Sequence, residues 1–153
     1  MSQHSAGILL YRYQHGALQV FLVHPGGPFW TNKDTAAWSI PKGLYQDGEE
    51  PLAAARREFR EETGFEVDGE FVDLGELRQP SNKIVHAWAI EGDIDATRLT
   101  SNTFTLEWPP HSGQQQEFPE VDKGEWFGIQ TAGRKIIKGQ APFLDRLQSK
   151  LEQ

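Results

Sequence analysis

The chain has 153 residues and a net charge of −7, from 15 Lys and Arg against 22 Asp and Glu. That length suits a single domain over 1–153, and the negative field opposes nonspecific attraction to a nucleic-acid backbone, so no stable nucleic-acid partner is expected. The longest apolar stretch, residues 7–13, is broken by Arg12 and falls far short of the roughly 20 residues of a membrane-spanning helix, which argues against a membrane protein. Without cysteine there is no disulfide framework and no thiolate metal site, and the start Met-Ser-Gln-His has no basic, apolar leader character. A cytoplasmic monomer or homodimer is the expectation.

Apolar, β-branched and aromatic residues at 7–13 and again at 18–24, separated by Gln14-His15-Gly16-Ala17, predict a β-hairpin. Residues 25–34 hold too many turn formers to continue either periodicity and are expected to form a loop, with Phe29 and Trp30 inside it. A short strand at 38–41 and a second loop at 42–50, with Gly43 and Gly48, come next. Pro51 suits a first helical position, 52–62 are mostly good helix formers, and Gly64 suits a left-handed residue past the end, so this segment predicts a helix of about three turns. Strands are expected at 65–67, 71–79 and 83–90, the last two joined tightly by Pro80-Ser81-Asn82. Residues 91–122 are polar and turn-rich, with one strand at 104–108. A last strand at 123–129 and helices at 132–137 and 142–151 complete the chain.

On the predicted helix, Glu58, Glu61 and Glu62 stand at spacings i, i+3 and i+4 and project within one sector. Carboxylates so placed repel one another, and they lie in the C-terminal half, where the helix dipole also disfavours negative charge. Arg57, four residues before Glu61, gives partial relief. A divalent cation gives more, and oxygen-only ligation selects a hard ion such as Mg²⁺ or Mn²⁺. By itself the spacing is weak, and a solvated acidic face is the ordinary reading of it.

The longer pattern around this face is Gly43, five residues, Glu49, seven residues, then Arg57-Glu58-Phe59-Arg60-Glu61-Glu62-Thr63-Gly64-Phe65. It resembles the signature box of the Nudix hydrolases, here at 43–65, with every fixed position filled. Trp38-Ser39-Ile40-Pro41-Lys42-Gly43 is similar to the segment that leads into the box in the diadenosine tetraphosphate hydrolase branch and in diphosphoinositol polyphosphate phosphohydrolases. The resemblance implies an α/β Nudix fold, a mixed β-sheet sandwiched between helices (α/β/α). It also implies a metal held by the box helix and hydrolysis of a nucleoside diphosphate linked to another group.

Carried onto this chain, the resemblance places Glu58, Glu61, Glu62 and the Lys42 carbonyl on the metal, and gives Arg57 the role of orienting a glutamate. Glu49 either holds Arg57 or caps the helix start. The general base is expected to be a box glutamate or Glu120, which precedes Trp126 by a spacing similar to that of the diadenosine tetraphosphate hydrolases. Glu107, Glu117 and Glu125 lie close to it in sequence. Lys42 and Lys83 are expected to reach the phosphate chain. His86 or Trp88, on one face of the strand at 83–90, is a candidate for stacking on a base, with sheet packing as the ordinary alternative.

The expected activity is Mg²⁺-dependent hydrolysis of a nucleotide polyphosphate, with asymmetrical cleavage of diadenosine tetraphosphate to ATP and AMP in first place. Other enzymes with the same box act on nucleoside triphosphates, diphosphoinositol polyphosphates or RNA 5′ ends, because substrate choice resides in loops outside it. A noncatalytic nucleotide-binding module is the reading from another class. It would be expected to lose box carboxylates, and here all are present.

Overall fold

The structure is a computed structural model that describes residues 3–152. Of the expected 1–153 span and its Met-Ser start, residues 1, 2 and 153 therefore lie outside the described residues. Strands β1 (Gln3–Gln14) and β2 (Ala17–Pro25) form the predicted hairpin. Its two-residue turn puts His15 at φ 52° and Gly16 at φ 81°, a pairing that matches the twist of the flanking strands. The remaining elements are β3 (Lys42–Leu44), α1 (Pro51–Thr63), β4 (Val72–Gln79), β5 (Lys83–Glu91), β6 (Thr103–Glu107), β7 (Gln115–Pro119), β8 (Val121–Gly128), α2 (Ile129–Lys135) and α3 (Pro142–Leu151).

The main sheet runs β4-β5-β1-β2-β8, with β1 parallel to β5 and its other pairings antiparallel. Strand β3 also pairs with β1, at Ser5 to Gly7, while β2 pairs with it at Tyr11 to Gln14. Since β5 occupies the other edge of β1, β2 and β3 share one edge and separate from each other along it. That separation opens the place where the site forms.

Alternation along the strands sends successive side chains to opposite faces, and both faces are apolar. Ile8, Leu10, Phe21, Trp88 and Ile90 bury against Ala54, Ala55 and Phe59 of α1. Leu9, Val20, Leu22, Val85 and Phe127 bury against Ala132 of α2 and Phe143 and Leu147 of α3. The result is the expected mixed sheet between helices.

Several local expectations are corrected. Residues 38–41 make only isolated bridges, Ser39 to Val23 and Trp38 to Ile136, and the strand lies instead at Lys42–Leu44, in the segment expected to be a loop. Gly7 explains the shift: a Cβ there would lie 2.7 Å from the Pro41 carbonyl oxygen and 2.8 Å from Lys42 Cβ, so glycine lets this segment lie against β1. Residues 65–67 form no strand; Phe65 and Val67 instead pack their side chains onto the α1-side core. The strand expected at 104–108 pairs with β7, which the polar sequence of 115–119 did not announce. Helix α2 starts earlier than expected and ends at Lys135, because Ile136 turns away to pair with Trp38.

Candidate active site

The box helix starts at Pro51 without a side-chain cap and ends at Gly64, whose φ of 80° supplies the left-handed exit. Glu49, the alternative helix cap, is engaged elsewhere. Arg57 donates to both of its oxygens, Nε to Oε2 at 3.0 Å and Nη2 to Oε1 at 3.2 Å. The Nη1 of the same guanidinium donates to Glu58 Oε1 at 2.8 Å and to Glu61 Oε2 at 3.2 Å. A planar fork with five donors is suited to holding three carboxylates at once, where a lysine would act as a point charge. Its hydrogen bond to Arg57 lowers the Glu49 pKa, and that same bond is the leading influence raising the arginine's own.

Burial acts in the other direction on the carboxylates nearest the sheet. Glu58 is buried, and desolvation raises its pKa against the lowering effect of Arg57. Desolvation pushes Glu62 up to about 8, with Lys42 opposing and Glu58 and Glu120 adding to the rise. Glu62 Oε1 accepts the backbone N–H of Lys42 at 3.3 Å, which ties the last box glutamate to β3. Glu120 is raised by burial and then by Glu61.

Glu120 reaches this neighbourhood through a chain of backbone bonds. Asn102 N–H donates to the Glu61 carbonyl, Glu120 N–H donates to the Asn102 carbonyl, and Gly26 N–H donates to the Glu120 carbonyl, at 2.8, 2.8 and 2.9 Å. The helix, the β6/β7 ribbon and the end of β2 are thereby laced together. Val23, Pro25, Ser39, Lys42, Glu62, Glu120 and Val121 line a cleft of 120 Å³ at the gap between β2 and β3.

Of the residues singled out in the sequence, Lys42, Glu62 and Glu120 line this cleft, while Glu58, Glu61 and Arg57 form the adjoining ion-pair network. Lys83 is not among the lining residues. It is level with Gln3 on β1, whereas Lys42 is level with Gly7, so the two lysines are separated by about 13 Å along the strands as well as by β1 itself. His86 is also elsewhere, bonded through Nε2 to Asp73 at 2.7 Å and stacked on Trp88 at 3.9 Å. Ser39 lines the cleft and Glu49 holds Arg57, and the local sequence pattern singled out the first not at all and the second only ambiguously. Ser39 carried a signal, its place in the Trp-Ser-Ile-Pro-Lys-Gly segment.

The donor set fits a hard divalent cation: neighbouring carboxylates of Glu58, Glu61, Glu62 and Glu120 with raised protonation at three of them, and no soft ligand. Among the described residues, no three acidic or histidine side chains converge at ligating distance; Arg57 engages Glu58 and Glu61, and the Lys42 amide engages Glu62.

Comparison with known proteins agrees with this architecture. No curated protein matches the chain in sequence. Among solved structures, the Caenorhabditis elegans Ap4A hydrolase binary complex is 19% identical, with a TM-score of 0.64 and 98% of each chain covered. The NUDIX domain of Shewanella oneidensis NrtR complexed with ADP ribose is 14% identical, with a TM-score of 0.68 over 99% of this chain and 89% of that one. The MutT protein of Methanosarcina mazei Go1 is 17% identical, with a TM-score of 0.64 over 99% and 96%. A family model described as NUDIX domain matches residues 1–147, and the chain belongs to that family, whose hydrolases act on phosphoric anhydride bonds with the help of divalent cations.

Proposed function

We propose that this chain is a Mg²⁺-dependent pyrophosphohydrolase of nucleotide polyphosphates, with diadenosine tetraphosphate cleaved to ATP and AMP as its leading substrate. The observation that carries the reading is the meeting of Glu62, Glu120 and Lys42 in one cleft beside the Arg57-held pair Glu58 and Glu61. The segment leading into the box and the placement of Glu120 before Trp126 favour the tetraphosphate branch, and the likeness to the C. elegans enzyme is compatible with it.

A bound divalent cation supplies charge neutralisation and activation of water in such chemistry. Glu58, Glu61 and Glu62 would hold it, with the Lys42 carbonyl as a further oxygen. The Lys42 ammonium, at the cleft wall, offsets charge on the phosphate chain. Glu120, a lining carboxylate whose pKa burial raises, is placed to accept a proton from water. Arg57, held by Glu49, orients Glu58 and Glu61 and does not itself line the cleft. The 1–153 chain acts as one domain in this reading.

The test is product identification by chromatography on a panel of dinucleoside polyphosphates, nucleoside triphosphates, ADP-ribose and diphosphoinositol polyphosphates, in Mg²⁺ and in EDTA. ATP plus AMP from diadenosine tetraphosphate, with the label of isotopic water in only one product, supports the reading. Two ADP molecules overturn the asymmetrical reading, and a strong preference for triphosphates in competition replaces it with a triphosphate pyrophosphohydrolase.

A further inference from the structure

Gln140 is fully buried in the short turn Lys138–Gln140 between α2 and α3, and a buried amide requires partners. Both of its ends find them about a hundred positions earlier in the chain. Oε1 accepts the Ile40 backbone N–H at 3.0 Å, and Nε2 donates to Ser39 Oγ at 3.0 Å. This orientation of the amide is forced, since the Ile40 N–H can only donate and must meet the oxygen, which leaves Nε2 for Ser39.

One consequence concerns the Ser39 hydroxyl. Its oxygen accepts from Gln140 Nε2, and its own proton has two acceptors in reach, the adjacent Ile40 carbonyl at 2.7 Å and, at the longer distance of 3.3 Å, Gln140 Oε1, which the Ile40 N–H already engages. Ser39 lines the cleft together with Lys42, Glu62 and Glu120. The backbone here is held independently: Ser39 and Val23 exchange N–H to carbonyl bonds at 2.8 and 2.9 Å, and Ile137 N–H donates to the Trp38 carbonyl at 2.8 Å. The Gln140 side chain therefore adds to that backbone framework one bond, to the Ile40 N–H, and is the group that engages the Ser39 hydroxyl oxygen.

We propose that Ser39 donates its hydroxyl proton to a phosphate oxygen of the bound polyphosphate, and that Gln140 is the positioning residue that fixes this hydroxyl as a donor toward the cleft. The assignment rests on the polyphosphate reading above. An arriving phosphate oxygen replaces the Ile40 carbonyl as acceptor, and a bond to an ionised acceptor is stronger than the neutral bond it displaces. In a protein of net charge −7, a neutral donor adds affinity for an anion beside the single lining cation, Lys42, found in the cleft.

The test uses inorganic imidodiphosphate, which resists hydrolysis and carries no nucleoside, with Mg²⁺ and calorimetric titration of the full chain. Ser39→Ala and Gln140→Met are each expected to weaken binding about tenfold, Ser39→Thr is expected to retain it, and the double variant is expected to bind no more weakly than the worse single one. In turnover of diadenosine tetraphosphate, the loss is expected mainly in KM. Binding unchanged in Ser39→Ala, or single effects that add in the double variant, overturns this assignment alone. Absence of imidodiphosphate binding by the unaltered protein overturns the polyphosphate reading and this assignment with it. Should Gln140→Met fail to fold, the Ser39→Ala and Ser39→Thr pair still decides whether the hydroxyl binds phosphate.

Discussion

A Cβ on Gly43 would lie 2.0 Å from Glu58 Oε2, so the glycine that opens the box is the floor on which the first glutamate of the box helix rests. The backbone of Gly43 lies in β3 opposite Ala6, and its φ is not in the left-handed region. Its requirement is for space. Gly43→Ala must push Glu58 away, and overpacking of this kind costs about 1–3 kcal/mol of stability. The expected outcome is a modest fall in Tm with a loss of activity of at least a hundredfold. Near-normal kcat in a folded Gly43→Ala protein would show that Glu58 is not needed in its present position.

Chelation gives the broadest test of the carboxylate cluster. Activity is expected to vanish in EDTA and return with Mg²⁺ or Mn²⁺, and saturating metal at about 100 Kd should stabilise the fold by about 2.7 kcal/mol, measured as a rise in Tm. Glu61→Gln should lower the rate by orders of magnitude while leaving the metal-free Tm nearly unchanged, since Glu61 is only half-buried. Full turnover in EDTA would sink the metal assignment.

Glu62 makes stability depend on pH in a direction that can be worked out. Its folded pKa is raised from 4.5 to about 8, so between those values the folded chain holds a proton that the unfolded chain has released. The metal-free protein therefore loses stability as pH rises through that window, and Glu58 and Glu120, also raised, act with the same sign. Melting in EDTA is expected at a lower temperature at about pH 9 than at about pH 6, with Glu62→Gln reducing the difference. Metal affinity should rise across the same window as the cation displaces the proton. Identical pH profiles for the unaltered protein and Glu62→Gln would remove Glu62 from this role.

Lys42 and Lys83 separate two views of phosphate recognition. Lys42 lines the cleft, whereas Lys83 lies four registers away on the far side of β1. Lys42→Ala is expected to impair every polyphosphate substrate at least tenfold. Lys83→Ala should matter only for a chain long enough to reach it, raising KM for a tetraphosphate more than for a diphosphate-linked substrate. Equal, large effects of Lys83→Ala on both would place Lys83 nearer the metal than the register indicates.

The box helix, its exit at Gly64, the hairpin and the carboxylate sector were legible in local pattern, because each depends on residues within a few positions of one another. Glu58, Glu61 and Glu62 share a sector by helical periodicity alone, and Pro51 and Gly64 mark the ends by fixing or freeing φ. Whatever depends on the approach of distant segments emerged only in the folded chain. Lys42–Leu44 became a strand because Gly7 leaves room for it on β1, and β7 became one because β6 offered a partner. Glu120 reached the site through bonds that pass by way of Asn102 and Gly26, while Gln140 reached Ser39 from another element altogether. No local pattern encodes these meetings, since a buried amide or a loop glutamate acquires its partners only when the sheet and helices bring remote segments together.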